Sequence, residues 1–95
     1  MLLTTKQKQQ LKAKAHNLKP IVMIGYQGFT ENVKNEMDRA LTDHELIKIR
    51  IQEDDRVVRQ ALFTEICQAV GAQPIGLIGG VGIVYRKSDK SSEAK

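Results

Sequence analysis

Residues 20–33 read PIVMIGYQGFTENV, so an apolar run, two glycines three residues apart and a threonine follow one another. The run Ile21–Ile24 is short and continuously apolar, which predicts a β-strand buried on both faces. Thr30 is a favourable helix N-cap, and Glu31 suits the first turn of a helix. The stretch therefore predicts a strand that leads through a glycine turn into a helix, with an apolar face formed by Val33, Met37, Ala40 and Leu41.

The chain upstream of this stretch predicts another helix. Thr4 and Gln7 have the spacing of a capping box. The apolar residues Leu11, Ala15 and Leu18 follow at helical spacing, and Pro20 ends the segment. This first helix carries a narrow apolar stripe among many lysines.

Downstream, strands and helices continue to alternate. Residues 42–44 resemble a turn, and residues 45–51 alternate between apolar and charged side chains, as a half-buried strand does. Asp54 or Asp55 can cap a third helix, and Gly71 suits its C-terminal end. The predicted apolar stripe of this helix contains Val58, Leu62, Ile66, Ala69 and Val70. Two short strands are then predicted at 74–78 and 82–86, joined by a glycine-rich turn.

The resulting order, α-β-α-β-α-β-β, predicts a single α/β domain with a small, partly parallel sheet covered by helices. A chain of 95 residues has room for one such core. We assign residues 1–87 to the domain. Residues 88–95 are polar and serine-rich, which predicts a disordered tail.

Charge is distributed unevenly along the chain. The formal net charge is +4, and the first 30 residues contain five lysines and no acidic residue. A directional positive field of this kind favours a polyanionic partner. A solvated, lysine-rich helix face explains the same charges equally well, so charge alone leaves both interpretations open.

The sequence lacks the signals of most other classes of protein. No apolar run approaches the ~20 residues of a membrane span, and no secretory leader precedes the first helix. The single cysteine, Cys67, suits a buried structural thiol in a reducing cytoplasm. We find no zinc-ligand spacing, nucleophile elbow or phosphate loop, and Asp43–His44 is only a fragment of a catalytic relay. We therefore predict a cytoplasmic protein that is not an enzyme, with no cofactor, no metal and no small-molecule substrate.

The segment Gly25–Gly28 is the strongest candidate for a binding site. Glycines allow close approach of a ligand to the backbone, and the amino terminus of the next helix favours an anion. Tyr26 can stack on an unpaired base, and Gln27 can bond to a base edge. A tight strand-to-helix turn requires glycine in any case, so the tetrapeptide is weak evidence alone.

Taken together, these segments resemble the CRM domain, named for chloroplast RNA splicing and ribosome maturation, in its stand-alone bacterial YhbY form. The resemblance covers roughly residues 4–86, and the order and spacing of its motifs are more specific than the GxxG tetrapeptide. It is carried by Thr5–Gln9 at the start of the first helix, His16-x-Leu18-Lys19-Pro20 at its end, the Gly25-x-x-Gly28 loop with Thr30, Glu45–Lys48, Gly71-Ala72 and Val84–Arg86.

The resemblance implies a four-stranded mixed sheet with three helices, similar to the C-terminal domain of translation initiation factor three. It also implies RNA binding through the GxxG loop and a neighbouring basic surface, and association with precursors of the large ribosomal subunit. Transferred to this sequence, the site comprises Gly25, Tyr26, Gln27 and Gly28 with Lys6, Lys8, Lys12 and Lys19. The charge pattern adds Lys14.

The last hairpin departs from the family pattern. The hairpin at 79–82 has glycines where relatives often carry lysine, which leaves Arg86 and Lys87 as the nearest basic residues.

The alternative function is that of an adapter that docks on a ribosomal protein and makes no RNA contact. We expect a monomer whose partner is large-subunit ribosomal RNA or a pre-ribosomal particle, and no membrane association.

Overall fold

Three helices and four strands alternate in the order that the sequence predicts. The computed structural model describes residues 3–87, so the predicted tail at 88–95 lies outside the described residues. The helices are α1 (Thr5–Ala15), α2 (Glu31–His44) and α3 (Arg56–Ala69). The strands are β1 (Pro20–Ile24), β2 (Leu46–Ile51), β3 (Gln73–Ile78) and β4 (Val81–Tyr85).

The four strands form one mixed sheet in the order β1-β2-β4-β3. β1 runs parallel to β2, whereas β4 runs antiparallel to both β2 and β3. This arrangement confirms the predicted fold class. It also makes β1 an edge strand that continues directly into the glycine loop.

Local capping interactions explain where the helices begin. Thr4 Oγ1 accepts a hydrogen bond from Gln7 N at 3.1 Å, and Gln7 Oε1 accepts one from Thr4 N at 2.9 Å, which confirms the capping box. Asp55 Oδ1 accepts hydrogen bonds from Val57 N and Val58 N at the start of α3. Gly71 follows α3 with a φ of +65°, as expected of a helix-terminating glycine.

The core lies on both faces of the sheet. On one face, α2 and α3 bury their apolar side chains against β1, β2 and β4, with Met37, Leu41, Phe63, Ile66 and Cys67 among them. On the other face, a smaller cluster joins Ala15 of α1 to Ile75 and Ile83. Burial raises the pKa of the Cys67 thiol to about 11, so the prediction of a buried cysteine is confirmed.

Four local predictions are wrong. α1 ends at Ala15 instead of continuing to Pro20, so Leu18 lies outside the helix and is exposed. Residues 42–44 form the last turn of α2 instead of a turn outside it, and Glu45 ends this helix with a φ of +63°. On α3, Val58 is exposed, whereas Phe63 and Cys67 are buried, so the buried face is rotated from the predicted stripe. Finally, β1 is buried on one face only, because α1 packs over β2, β3 and β4 and leaves Ile21 and Met23 exposed.

Candidate nucleic-acid interface

The glycine loop is a tight turn with two exposed side chains at its tip. Gly28 N donates a hydrogen bond to Gly25 O at 2.9 Å, which closes a turn over four residues. Gly28 has a φ of +86°, in the left-handed region that favours glycine. Tyr26 is 76% exposed and Gln27 is also exposed. Both side chains are therefore accessible to a ligand.

Backbone hydrogen bonds hold this loop between the sheet and α2. At its start, Gln52 N donates to Ile24 O at 2.9 Å, which ties the end of β1 to the segment after β2. At its end, Thr30 Oγ1 accepts from Val33 N at 3.3 Å and caps α2. The amino terminus of α2 therefore lies next to the loop, where its dipole favours a negatively charged group.

A row of four side chains crosses the sheet beside this loop. The strand register places Met23 opposite Arg50, Arg50 opposite Val81, and Val81 opposite Ile78. Residues paired in this way point to the same face of a sheet. Met23 is 54% exposed, Ile78 is 69% exposed and Arg50 is also exposed. We call these four residues the open row; they form a flat apolar surface with a guanidinium group at its centre.

Two of the predicted lysines lie close to the open row. Lys12 Cε is 3.1 Å from the position that a Cβ would take on Gly76, two residues before Ile78 in β3. Lys8 is one helical turn away on the same flank of α1 and is half-buried. Lys12 thus borders the part of the sheet that α1 leaves uncovered, and Lys8 shares its flank of the helix.

The other predicted lysines do not join them. Lys14 lies on the opposite flank of α1, where it lines a groove together with Lys19. β1 separates Lys19 from Gly25, and its rise places the two residues about 20 Å apart. Lys6 is exposed and points away from Lys8, because two residues turn a helix by about 200°. Eight of the nine predicted residues therefore occupy two separate areas of the surface, and Lys6 belongs to neither.

Sequence reasoning missed the apolar part of this interface. The alternation in β2 placed Lys48 and Arg50 on one side of the strand, but nothing in the sequence indicated that Met23 and Ile78 stay uncovered. Arg86, in contrast, is engaged within the fold. Its Nη1 lies 2.8 Å from Asp38 Oδ1 and donates to Val70 O, and its Nη2 donates to Asp38 O. Arg86 therefore links α2 to the end of α3.

The described part of the chain contains neither a cluster of metal ligands nor a helix that could span a membrane. Between residues 3 and 87, no three His, Cys, Asp or Glu side chains are grouped to hold a metal ion. Over the same range, no helix combines the length and apolar character of a membrane span.

Comparison with known proteins identifies relatives along nearly the whole chain. The family model described as the CRS1/YhbY (CRM) domain matches residues 3–86. A Pseudomonas aeruginosa protein named "probable RNA-binding protein" is 41% identical over 93 residues, which cover 98% of this chain and 89% of that protein. A Haemophilus influenzae protein named "RNA-binding protein" is 42% identical over 89 residues, covering 94% of this chain and 90% of the relative.

A solved structure shows the same fold. The solution structure of a Staphylococcus aureus protein superimposes with a TM-score of 0.84 at 32% sequence identity. The match covers 99% of this chain and 98% of that chain. The arrangement of helices and strands described above is therefore also found in an independently solved relative.

Proposed function

This chain belongs to the CRS1/YhbY (CRM) domain family, and from that premise we propose that it is a non-catalytic RNA-binding protein. Relatives of similar length are named as RNA-binding proteins. The observation that carries the proposal is the exposed tip of the loop, Tyr26 and Gln27, beside the open row. This combination of an exposed aromatic ring, an amide and a basic apolar platform suits unpaired nucleotides.

The proposed mechanism has two parts. Lys8, Lys12 and Arg50 attract the phosphates of a single-stranded or looped segment, and this contact sets most of the affinity. The loop then fixes the register of the strand: its backbone and the amino terminus of α2 hold a phosphate, while Tyr26 stacks on a base and Gln27 bonds to a base edge. Duplex DNA fits less well, since none of the three helices presents a row of base-reading side chains.

We further propose that the RNA is ribosomal and that binding occurs on precursors of the large ribosomal subunit, in the cytoplasm, with the protein as a monomer. Support for this assignment comes from the family resemblance of the motifs at residues 4–86. Lys6, Lys14 and Lys19 remain part of the proposed contact surface, although they lie away from the loop.

Two aspartates at the tip of the loop test its role. We expect the variant Tyr26→Asp/Gln27→Asp to lose binding to a fluorescent decauridylate in an anisotropy titration, because two negative charges would repel the phosphates. Both side chains are exposed, so the melting temperature should change little. Circular dichroism during heating measures this second quantity. A collapse of the fold would instead show that the tetrapeptide has only a structural role.

A matched control variant distinguishes the effect of where the two negative charges lie from the effect of adding two charges anywhere. Gln60 and Gln68 are exposed on α3, which packs on the sheet face opposite to α1. The variant Gln60→Glu/Gln68→Glu adds the same two charges there and should bind decauridylate nearly as well as the parent chain. An equal loss of binding in both variants would contradict a specific role of the loop.

Ultraviolet crosslinking in growing cells tests the ribosomal assignment. We expect a sharp peak of crosslinked reads in precursor RNA of the large subunit, and its absence in cells expressing the Tyr26→Asp/Gln27→Asp variant. Crosslinks scattered over many messenger RNAs would agree with the proposed RNA binding but would contradict the ribosomal role. If the protein is instead an adapter that docks on a ribosomal protein, we expect no crosslinks to RNA, and its association with the pre-ribosomal particle should survive nuclease treatment.

A further inference from the structure

A groove lies at the end of the sheet opposite to the glycine loop. It has a volume of about 460 Å³ and runs between the C-terminal part of α1 and the start of β2. This volume falls within the range of sites that enclose small ligands. The groove is therefore large enough to accept part of an extended ligand, such as one nucleotide of a strand.

The walls of this groove combine apolar and basic side chains. Leu11, Leu18, Ile21 and Leu46 supply apolar surface, and the ring of Tyr85 is half-buried in the wall. Ile21 is 50% exposed, an unusual position for an isoleucine in a β-strand. A flat apolar ligand group would cover surface that the fold itself leaves in contact with water.

Positive charge surrounds this apolar surface. Lys14, Lys19 and Lys48 line the groove, and Glu45 is the only carboxylate among the lining residues in the described part of the chain. Lys48 Nζ donates to His16 O at 3.5 Å, which directs its ammonium group toward the end of α1. Charge complementarity thus favours an anionic occupant.

From this geometry we infer that the groove is a second nucleotide site for the same RNA strand, a conclusion that rests on the proposed function. A nucleotide combines the two properties that the walls require, a flat base for the leucines and a phosphate for the lysines. Ile21 and Lys19 lie four and six residues before Gly25, so the groove extends from about 13 Å to about 20 Å from Gly25, a span of about four to six stacked nucleotides at 3.4 Å each. A strand of that length can occupy the loop and the groove together.

The inference also explains why Lys14 and Lys19 lie away from the loop. They line the rim of a separate site instead of contacting the phosphate at Gly25–Gly28. Longer RNA is then expected to use both sites, and a trinucleotide only one.

The first test is direct observation of the groove by nuclear magnetic resonance of the full chain. Titration with uridine 5′-monophosphate should shift the methyl signals of Leu18, Ile21 and Leu46, and uridine without its phosphate should shift them less. If decauridylate shifts only the residues of the loop and the open row, the groove inference is wrong and the proposed function stands. If decauridylate causes no shift anywhere in the protein, the proposed function fails as well.

The second test is the salt dependence of decauridylate binding by a charge variant. The slope of log K against log salt is negative, and loss of one phosphate contact to a single strand makes it shallower by about 0.7. We expect Lys14→Gln, which removes one charge from the groove, to show this change with decauridylate. The control Arg39→Gln removes one exposed charge from α2 on the opposite side of the sheet and should leave the decauridylate slope unchanged.

Two outcomes of these tests contradict the inference. One is an unchanged slope for Lys14→Gln with decauridylate. The other is a shift of the groove signals by an acidic peptide such as hexaglutamate but not by decauridylate, which would assign the groove to a protein partner.

Discussion

The segments Gly25–Gly28 and Gly79–Gly82 lie at the same end of the sheet, but their glycines have different roles. The end of β2 lies beside both: Gln52 N, just after β2, donates to Ile24 O, just before the loop, and Ile51 N donates to Gly80 O at 2.7 Å. Around Gly28 no atom lies within 4 Å of an added Cβ, whereas Gly82 is buried beneath Phe63. The first segment is open to a ligand, whereas packing closes the second segment at Gly80 and Gly82 and leaves only Gly79 exposed.

This contrast shows that glycine content alone does not identify a binding loop. Gly79 has a φ of +59° in a two-residue turn between antiparallel strands, the geometry that such hairpins favour. Gly80 lies against the carbonyl of Ile51, with 3.2 Å between that oxygen and a Cβ placed on the glycine. The hairpin therefore needs its glycines to close the sheet.

The largest effect is expected at Gly82. A Cβ on this residue would lie 2.5 Å from Phe63 Cε1 and 2.9 Å from Phe63 Cδ1, and Phe63 is itself buried. Since this buried ring would have to shift within the core, Gly82→Ala should lower the free energy of unfolding by about 1–3 kcal/mol. For a domain of this size, the melting temperature should fall by roughly 10 °C.

A second substitution can confirm the cause. Phe63→Leu removes the atoms that clash, so the double variant Phe63→Leu/Gly82→Ala should be more stable than the sum of the two single effects predicts. Thermal denaturation of the four proteins measures this coupling. If the two single changes in the free energy of unfolding add up to the change in the double variant, the contact with Phe63 does not explain the requirement for glycine at position 82.

Much of the fold could be predicted because its signals are local. Thr4 with Gln7, Thr30 and Gly71 mark helix ends through hydrogen bonds and backbone angles that neighbouring residues determine. The end of α2 carries no such signal, since Glu45 adopts a positive φ that its residue type does not favour. The predicted turn at 42–44 was wrong for this reason.

The candidate site was only partly predictable, because its surroundings depend on tertiary packing. The loop residues Tyr26 and Gln27 follow from the glycine pattern, and the structure places both at an exposed tip. Whether Met23 and Ile78 are covered depends on the path of α1 over the sheet, which no local pattern encodes. The buried face of α3 was also ambiguous, since VVRQALFTEICQAV has apolar residues on several sides of the helix.

The smallest effects are expected within the binding loop, where its two glycines form a matched pair. Gly28→Ala should lower the free energy of unfolding by about 1–2 kcal/mol, because φ at this residue is +86° although space is available. Gly25→Ala should change it by less than about 0.5 kcal/mol, since its backbone is unstrained and Gln52 Oε1 lies 3.6 Å from the added Cβ. Denaturant titration measures both changes.

Binding measurements on the same two variants then distinguish a glycine that only supports the turn from a glycine whose backbone contacts RNA. Gly25→Ala adds a methyl group where the loop backbone is proposed to approach a phosphate, so decauridylate affinity should fall while stability is retained. If Gly25→Ala binds as tightly as the parent chain, the backbone at Gly25 does not contact the RNA. If Gly25→Ala is instead as unstable as Gly28→Ala, the loop depends on both glycines for its shape, and its contrast with the hairpin disappears.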